Sequence, residues 1–187
     1  MNKKIIGYVL IITGIFIFSY KMINKRIVIE KEKNKISYSL NKEINYRYLD
    51  MDNLYDMVLV IPSINLKKGI YKKDNKKNDI SINVAINKDS DYPDKDNSSV
   101  ILMAHSGSGS NAYFNNLTKL NNDSLIELYY NHKKYIYKFD YSYCVLKTGK
   151  INIREESKKT ISLITCSRDD KKIQVVYVGY LIDEIEY

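Results

Sequence analysis

Cysteine and histidine are both scarce in this sequence, which has two residues of each and no tryptophan. Two cysteines form at most one disulfide, so a scaffold held together by several disulfides is excluded. Cys144 lies in a strand-like run, 141–146, and we expect it to be a buried free thiol. His132 lies in a polar segment typical of an exposed hairpin tip, so His105 is the stronger candidate for acid–base chemistry.

A cleavage site of small residues is also missing after the first apolar block. Residues 5–20 carry no charge and have basic residues on both sides. Met22 and Ile23 extend the block toward the ~20 apolar residues that span a bilayer. A secretory signal peptide would be followed by an A-x-A-like site, so the pattern favours an uncleaved membrane anchor over residues 1–23. The flanking charges do not orient this anchor, because both flanks are basic.

Positive charge exceeds negative charge, and the formal net charge is +8 at pH 7. The lysines are spread along the whole chain, and no aromatic and basic residues recur at a spacing typical of nucleic-acid modules. We therefore expect no nucleic-acid partner. Residues 24–56 are charged and have few apolar clusters, which predicts a partly helical stalk between the anchor and one globular domain at 57–187.

Short runs rich in β-branched residues and tyrosine recur through this domain, separated by polar breaks. They predict eight strands, at 57–61, 64–71, 80–86, 99–104, 124–130, 134–147 with a break near Asp140, 160–166 and 173–182. Segment 111–120 differs, because its apolar residues suit one face of a short helix that Asn111 could cap. Many short strands must remove their exposed edges. The sequence therefore predicts a mainly β fold, a single closed or nearly closed barrel with one or two short helices.

Two of the predicted strands end in residues that can perform chemistry. Residues 100–104 lead into His105, and residues 161–165 lead into Cys166. A thiol beside an imidazole can act as a nucleophile, because the thiolate is the reactive form and the base generates it. Free cysteine is also among the most buried residue types, so each residue taken alone could be an ordinary part of the core.

The sequence around both residues resembles the sortase family of cysteine transpeptidases, from about residue 57 to the C-terminus. Residues 162–166, SLITC, are similar to the T/S-L-x-T-C signature of the family's cysteine strand. The histidine motif AHSG at 104–107 precedes that cysteine by about sixty residues, as in the family. Residues 58–66, VLVIPSINL, are similar to the family's opening strand with its isoleucine–proline step.

This resemblance implies a sortase-type barrel on the outer face of a Gram-positive-type cell, held there by a single-pass N-terminal membrane helix. Cys166 would attack a sorting-motif peptide of a secreted surface protein and form a thioester. His105 would protonate the departing amine and then deprotonate the incoming one, since an imidazole titrates near neutrality. The acceptor would be an amine of a cell-wall precursor or a lysine of another protein. That chemistry requires no cofactor.

The sequence departs from the family pattern at the residue that stabilises the oxyanion. In sortases this role falls to an arginine on the strand after the cysteine strand, and residues 173–180 contain no arginine. Arg168 comes two residues after Cys166. If the extended conformation continues, both side chains point the same way and could face one groove. The alternative interpretation is a solvent-exposed turn residue beside two aspartates. Arg154, in the preceding loop, is a further candidate.

Three alternatives compete with parts of this interpretation. Residues 166–168, CSR, also resemble the C-x-R end of the L,D-transpeptidase signature, although Ile164 and Thr165 stand where those enzymes have a serine–histidine–glycine run. The missing arginine supports a catalytically inactive, membrane-anchored barrel that only binds peptides. The acidic stretch 89–96 could hold calcium, which some sortases use, but it lacks the EF-hand spacing and fits a solvated loop better.

Overall fold

The computed structural model describes residues 3–40, 54–148 and 157–186. A long helix, α1 (Lys3–Leu40), precedes eight strands. The strands are β1 (Met57–Ile61), β2 (Leu66–Ile70), β3 (Ala85–Ile86), β4 (Ser99–Met103), β5 (Leu125–Tyr130), β6 (Lys133–Leu146), β7 (Thr160–Cys166) and β8 (Ile173–Glu186). Each of the eight predicted segments overlaps one of these strands, although β6 begins one residue before its segment and β8 extends four residues beyond its segment. Two short 3-10 helices, Pro62–Ile64 and Leu117–Lys119, lie between them.

The strands form one sheet that curls into a nearly closed barrel, in the order β2-β1-β5-β6-β8-β7-β4-β3. Neighbouring strands are antiparallel except β4 and β7, which run parallel. β7 lies between β4 and β8, and its residues are buried on both faces as far as Thr165. Burial of both faces is typical of strands with a parallel neighbour. The predicted mainly β, nearly closed barrel is confirmed.

Alternate residues of the strands fill the barrel interior. In β6, Tyr135, Tyr137 and Phe139 are buried, and the residues between them are more exposed. Such alternation of buried and more exposed side chains is typical of a strand with one face packed against a core. The register of β6 against β8 shifts at Asp140, so the break predicted there is a bulge within one continuous strand.

The helix predicted over 111–120 is wrong in its extent. The structure has turns there and one 3-10 helix, Leu117–Lys119. The apolar residues still reach the core, since Phe114 is only 1% exposed. The side chains of Asn111 and Asn115 bond to the backbone of other segments. Asparagine that competes for backbone groups in this way disfavours a helix.

The prediction that Cys144 is buried is also wrong, because its side chain is exposed. In the second half of β6, the face that carries Tyr141 and Tyr143 is half-buried, and the opposite face, which carries Cys144, is open. Alternation along the strand shows that two faces exist, and only the packing shows which face is covered. Both Cys144 and Cys166 are free thiols, so no disulfide joins them.

Helix α1 runs without a break from the apolar block into the charged segment. It is long and apolar enough to cross a membrane, and its most apolar window has a mean hydropathy of 1.4. Its last turns lie against the barrel, where Ile36 is buried and Glu32 forms an ion pair of 2.6 Å with Lys68 of β2. A cavity of about 300 Å³, whose lining includes Tyr71 and Tyr113, lies between the helix and the barrel.

The Tyr137 hydroxyl gives a stability prediction. It is buried in the core with no hydrogen-bond partner among the described residues, and burial raises its pKa far above the ordinary value. A hydroxyl that loses water without gaining a partner destabilises the fold by about 1–3 kcal/mol. Tyr137→Phe keeps the ring and removes the hydroxyl. We therefore expect the free energy of unfolding, measured with urea, to rise by about 1 kcal/mol.

Tyr129→Phe is the matched control for this variant. Its hydroxyl donates to Glu127 at 2.9 Å, so its removal should leave the free energy of unfolding unchanged or lower. A drop in stability for Tyr137→Phe as well would mean that the Tyr137 hydroxyl has a partner, such as an ordered water.

Candidate active site

The parallel pairing of β4 and β7 brings His105 and Cys166 to the same end of the sheet. Met103 pairs with Ile164. His105 and Cys166 each lie two residues further along, at matching positions. The ladder continues past Met103, because the Ala104 N–H donates to the Ile164 carbonyl at 3.2 Å. Matching residues on neighbouring strands project from the same face of a sheet, so His105 and Cys166 each follow, by two residues, a side chain on one common face.

Hydrogen bonds also shape the loop that follows His105. The Ser106 hydroxyl donates to the Cys166 carbonyl at 2.6 Å and ties this loop to the end of β7. The Asn115 side chain accepts from the Gly107 N–H at 2.7 Å and donates to the Gly107 carbonyl. Gly107 has a φ of 121°, which residues with a side chain rarely adopt. The loop therefore holds His105 beside the end of β7.

The thiol and the imidazole each have a charged neighbour. Cys166 and His105 are both half-buried. The Nζ of Lys147 lies 3.9 Å from the Sγ of Cys166. Hydrogen bonds with Ser81 hold the pKa of the exposed Asp79 carboxyl below its usual value, and the proximity of His105 acts in the same direction.

The face of the sheet that carries Cys166 is apolar up to the thiol. Ile164 lies on the same face, since alternate residues of a strand point the same way. It packs with Ile101, Val176 and Val178 in a buried cluster separate from the barrel core. Partly buried apolar side chains pack against this cluster, namely those of Met103, Tyr141, Tyr143 and Val145. An apolar surface that ends at reactive groups can accept an extended peptide.

Arg168 lies in the turn of the predicted β7–β8 hairpin, which the antiparallel pairing of these strands confirms. Its side chain is exposed, and its guanidinium donates to the Asn115 carbonyl. Arg168 therefore contacts the loop after His105, at the same edge of the sheet as Cys166. The residue of β8 that pairs directly with Cys166 is Gln174. Arg154, the other arginine considered, falls outside the described residues.

Sequence reasoning missed two polar residues beside the thiol. Gln174 could have been found by extending the β7–β8 hairpin pairing from its turn. Lys147 could not, because it follows β6, and β6 comes near β7 only through the strand order β6-β8-β7. The sequence around Lys147 gives no indication of that strand order.

Other candidates lie away from this site. His132 is exposed in the two-residue turn between β5 and β6, as predicted for a hairpin tip. In the acidic stretch 89–96, Asp91 forms an ion pair of 2.9 Å with Lys95. Across residues 3–40, 54–148 and 157–186, no three His, Cys, Asp or Glu residues come together as metal ligands.

A family model for the sortase domain matches residues 59–181. This match covers about two thirds of the chain, so the protein belongs to the sortase family, a family of cysteine transpeptidases. The L,D-transpeptidase alternative is therefore set aside. Family and fold together support a sortase transpeptidase in general terms.

Solved sortase structures share the fold. Sortase A of Listeria monocytogenes aligns with a TM-score of 0.60 and 18% identity, over 71% of this chain and 90% of that one. Sortase C1 of Streptococcus agalactiae aligns with a TM-score of 0.60 and 18% identity, over 83% of this chain and 90% of that one. Sortase D5 of Clostridium perfringens aligns with a TM-score of 0.60 and 18% identity, over 82% of this chain and 95% of that one. These TM-scores show a common barrel fold. A search of curated protein sequences found no match.

Proposed function

We propose that this protein is a membrane-anchored sortase that cleaves a sorting-motif peptide through a thioester on Cys166 and transfers the acyl group to an amine. One observation carries the proposal. His105 and Cys166 occupy matching positions at the end of the parallel pair β4 and β7, where an apolar face meets a half-buried thiol.

The two half-reactions can be written on these two side chains. The Cys166 sulfur attacks the peptide carbonyl carbon and forms a carbon–sulfur bond, while negative charge develops on the carbonyl oxygen. The carbon–nitrogen bond then breaks, and the His105 imidazolium gives its proton to the departing amine. In the second half, His105 takes a proton from the incoming amine as that amine attacks the thioester. The carbon–sulfur bond breaks, and the thiolate returns.

The surroundings of the site support the classes of substrate. An extended peptide can place its apolar side chains over Met103, Tyr141 and Tyr143, with the bond to be cleaved at Cys166. We propose that the peptide belongs to a secreted surface protein and that the acceptor is an amine of a cell-wall precursor or a protein lysine. No cofactor enters this scheme. Helix α1 would span the membrane once, with the barrel on the outer face.

Intact-protein mass spectrometry tests the proposal on the full chain in detergent. The protein is incubated with a library of peptides that carry different sorting motifs. We expect a peptide with one of these motifs to increase the mass of the protein by that of its acyl fragment. Hydroxylamine, which cleaves thioesters, should reverse this increase. Because Cys144 is an exposed thiol, Cys144→Ala is the matched control and should keep the adduct. An adduct confined to Cys144 would contradict the proposal, and peptide binding without any adduct would favour the inactive barrel.

Arg168 is proposed to stabilise the oxyanion that forms in both half-reactions. Removal of one such donor slows acyl transfer strongly, so Arg168→Ala should lower the rate of peptide cleavage by at least about tenfold. Lys171→Ala removes the same charge from the same turn and serves as the control. An unchanged rate for Arg168→Ala would transfer the oxyanion role to another basic residue, such as Arg154.

A further inference from the structure

Lys147 is placed against the thiol by the strand ladder. Val145 pairs with Gln174, and Gln174 pairs with Cys166, so these three residues form one row across β6, β8 and β7. Lys147 directly follows β6 and comes two residues after Val145, so it continues the face of Val145. Its backbone N–H donates to the Lys172 carbonyl at 2.7 Å, which extends the ladder beyond the last residue of β6. The Nζ–Sγ distance of 3.9 Å therefore belongs to a side chain whose backbone is held in the sheet.

Among the described residues, Gln174, Arg168 and His105 also lie at this end of the sheet, and each differs from Lys147 in charge, partner or role. β8 presents the neutral amide of Gln174 directly opposite Cys166. The turn after β7 presents Arg168, whose guanidinium bonds to the Asn115 carbonyl. β4 ends near His105, whose task in the proposed function is proton transfer. The ammonium group of Lys147 thus places a positive charge in contact with the sulfur. None of the roles given to Gln174, Arg168 and His105 requires this charge.

We propose that Lys147 is a catalytic residue that stabilises the thiolate form of Cys166. The inference rests on the proposed function, in which Cys166 is the nucleophile. When the thiol ionises, the S–H bond breaks and His105 receives the proton, while Lys147 remains an ammonium ion throughout. A cation next to a cysteine increases the thiolate fraction at neutral pH and thereby the rate of nucleophilic attack. Lys147 is exposed, so solvent keeps this electrostatic effect moderate.

Alkylation by iodoacetamide measures this effect without any peptide substrate. The thiolate displaces iodide and gains a carbamidomethyl group, and no oxyanion forms in this reaction, so a contribution from oxyanion stabilisation does not enter. The full chain carries Cys144→Ala, which leaves Cys166 as its single thiol. We expect Lys147→Met to lower the alkylation rate at pH 7 by about fivefold at low ionic strength. The difference should shrink in 1 M salt, where charges are screened beyond about 3 Å.

Two further variants complete the test. Lys147→Arg keeps the positive charge and should retain most of the rate. Lys138→Met removes an exposed lysine from β6, and this variant should be alkylated like the parent protein. At pH 9.5, the rates of Lys147→Met and the parent should converge, because thiols in general are mostly ionised at that pH with or without a neighbouring cation.

The results separate this inference from the proposed function. Equal alkylation rates for Lys147→Met and the parent at pH 7 would overturn it, as would an equal loss in Lys138→Met or Lys147→Arg. A slower alkylation of Lys147→Met in a protein that no sorting peptide acylates would uphold the role of Lys147 and count against the sortase proposal. Thermal unfolding of each variant distinguishes a lost charge from a lost fold.

Discussion

Cys166→Ala is expected to abolish both the acyl-enzyme and peptide cleavage. In the proposed chemistry the sulfur forms the only covalent bond between enzyme and substrate, and alanine offers no replacement nucleophile. Intact-protein mass spectrometry should find no adduct with the motif that modifies the parent protein. Cleavage followed by chromatography should fall to the rate without enzyme, whereas Cys144→Ala should cleave at the parent rate.

The fold should survive this substitution, which makes the result interpretable. Cys166 is half-buried at the end of β7, and the hydrogen bond that it accepts from Ser106 uses its backbone carbonyl, which alanine keeps. We therefore expect little change in thermal unfolding. Cleavage by Cys166→Ala within about tenfold of the parent rate would place the nucleophile elsewhere, since catalytic nucleophiles contribute far more than that.

His105→Ala is expected to lower kcat/KM for peptide cleavage by about a hundredfold to ten-thousandfold, the range of general acid–base catalysis. Without the imidazole, the departing amine has no positioned proton donor, and the thiol has no neighbouring base.

His132→Ala is the matched control for this prediction. It removes the other histidine of the chain, which is exposed in the turn between β5 and β6. Its kcat/KM should equal that of the parent. Added imidazole should restore part of the activity of His105→Ala and none to Cys166→Ala. A loss below about tenfold for His105→Ala would contradict the assigned role.

Much of the fold could be predicted because strand periodicity is local. The alternation of Tyr135, Tyr137 and Phe139 and the apolar run that ends in Cys166 are visible without coordinates. The errors arose where local patterns conflict with tertiary contacts. In 111–120, asparagine side chains bond to distant backbone and prevent the expected helix. At Cys144, alternation could not show which face of β6 is covered.

The sequence by itself determined the number of strands, the apolar helix and the two residues on which the proposed chemistry depends, because each is encoded in a short contiguous segment. The tertiary structure alone decided which cation touches the thiol. Lys147 reaches Cys166 because β8 lies between β6 and β7 and holds both in register. Such strand order follows from the packing of the whole barrel, and no single segment of the chain specifies it.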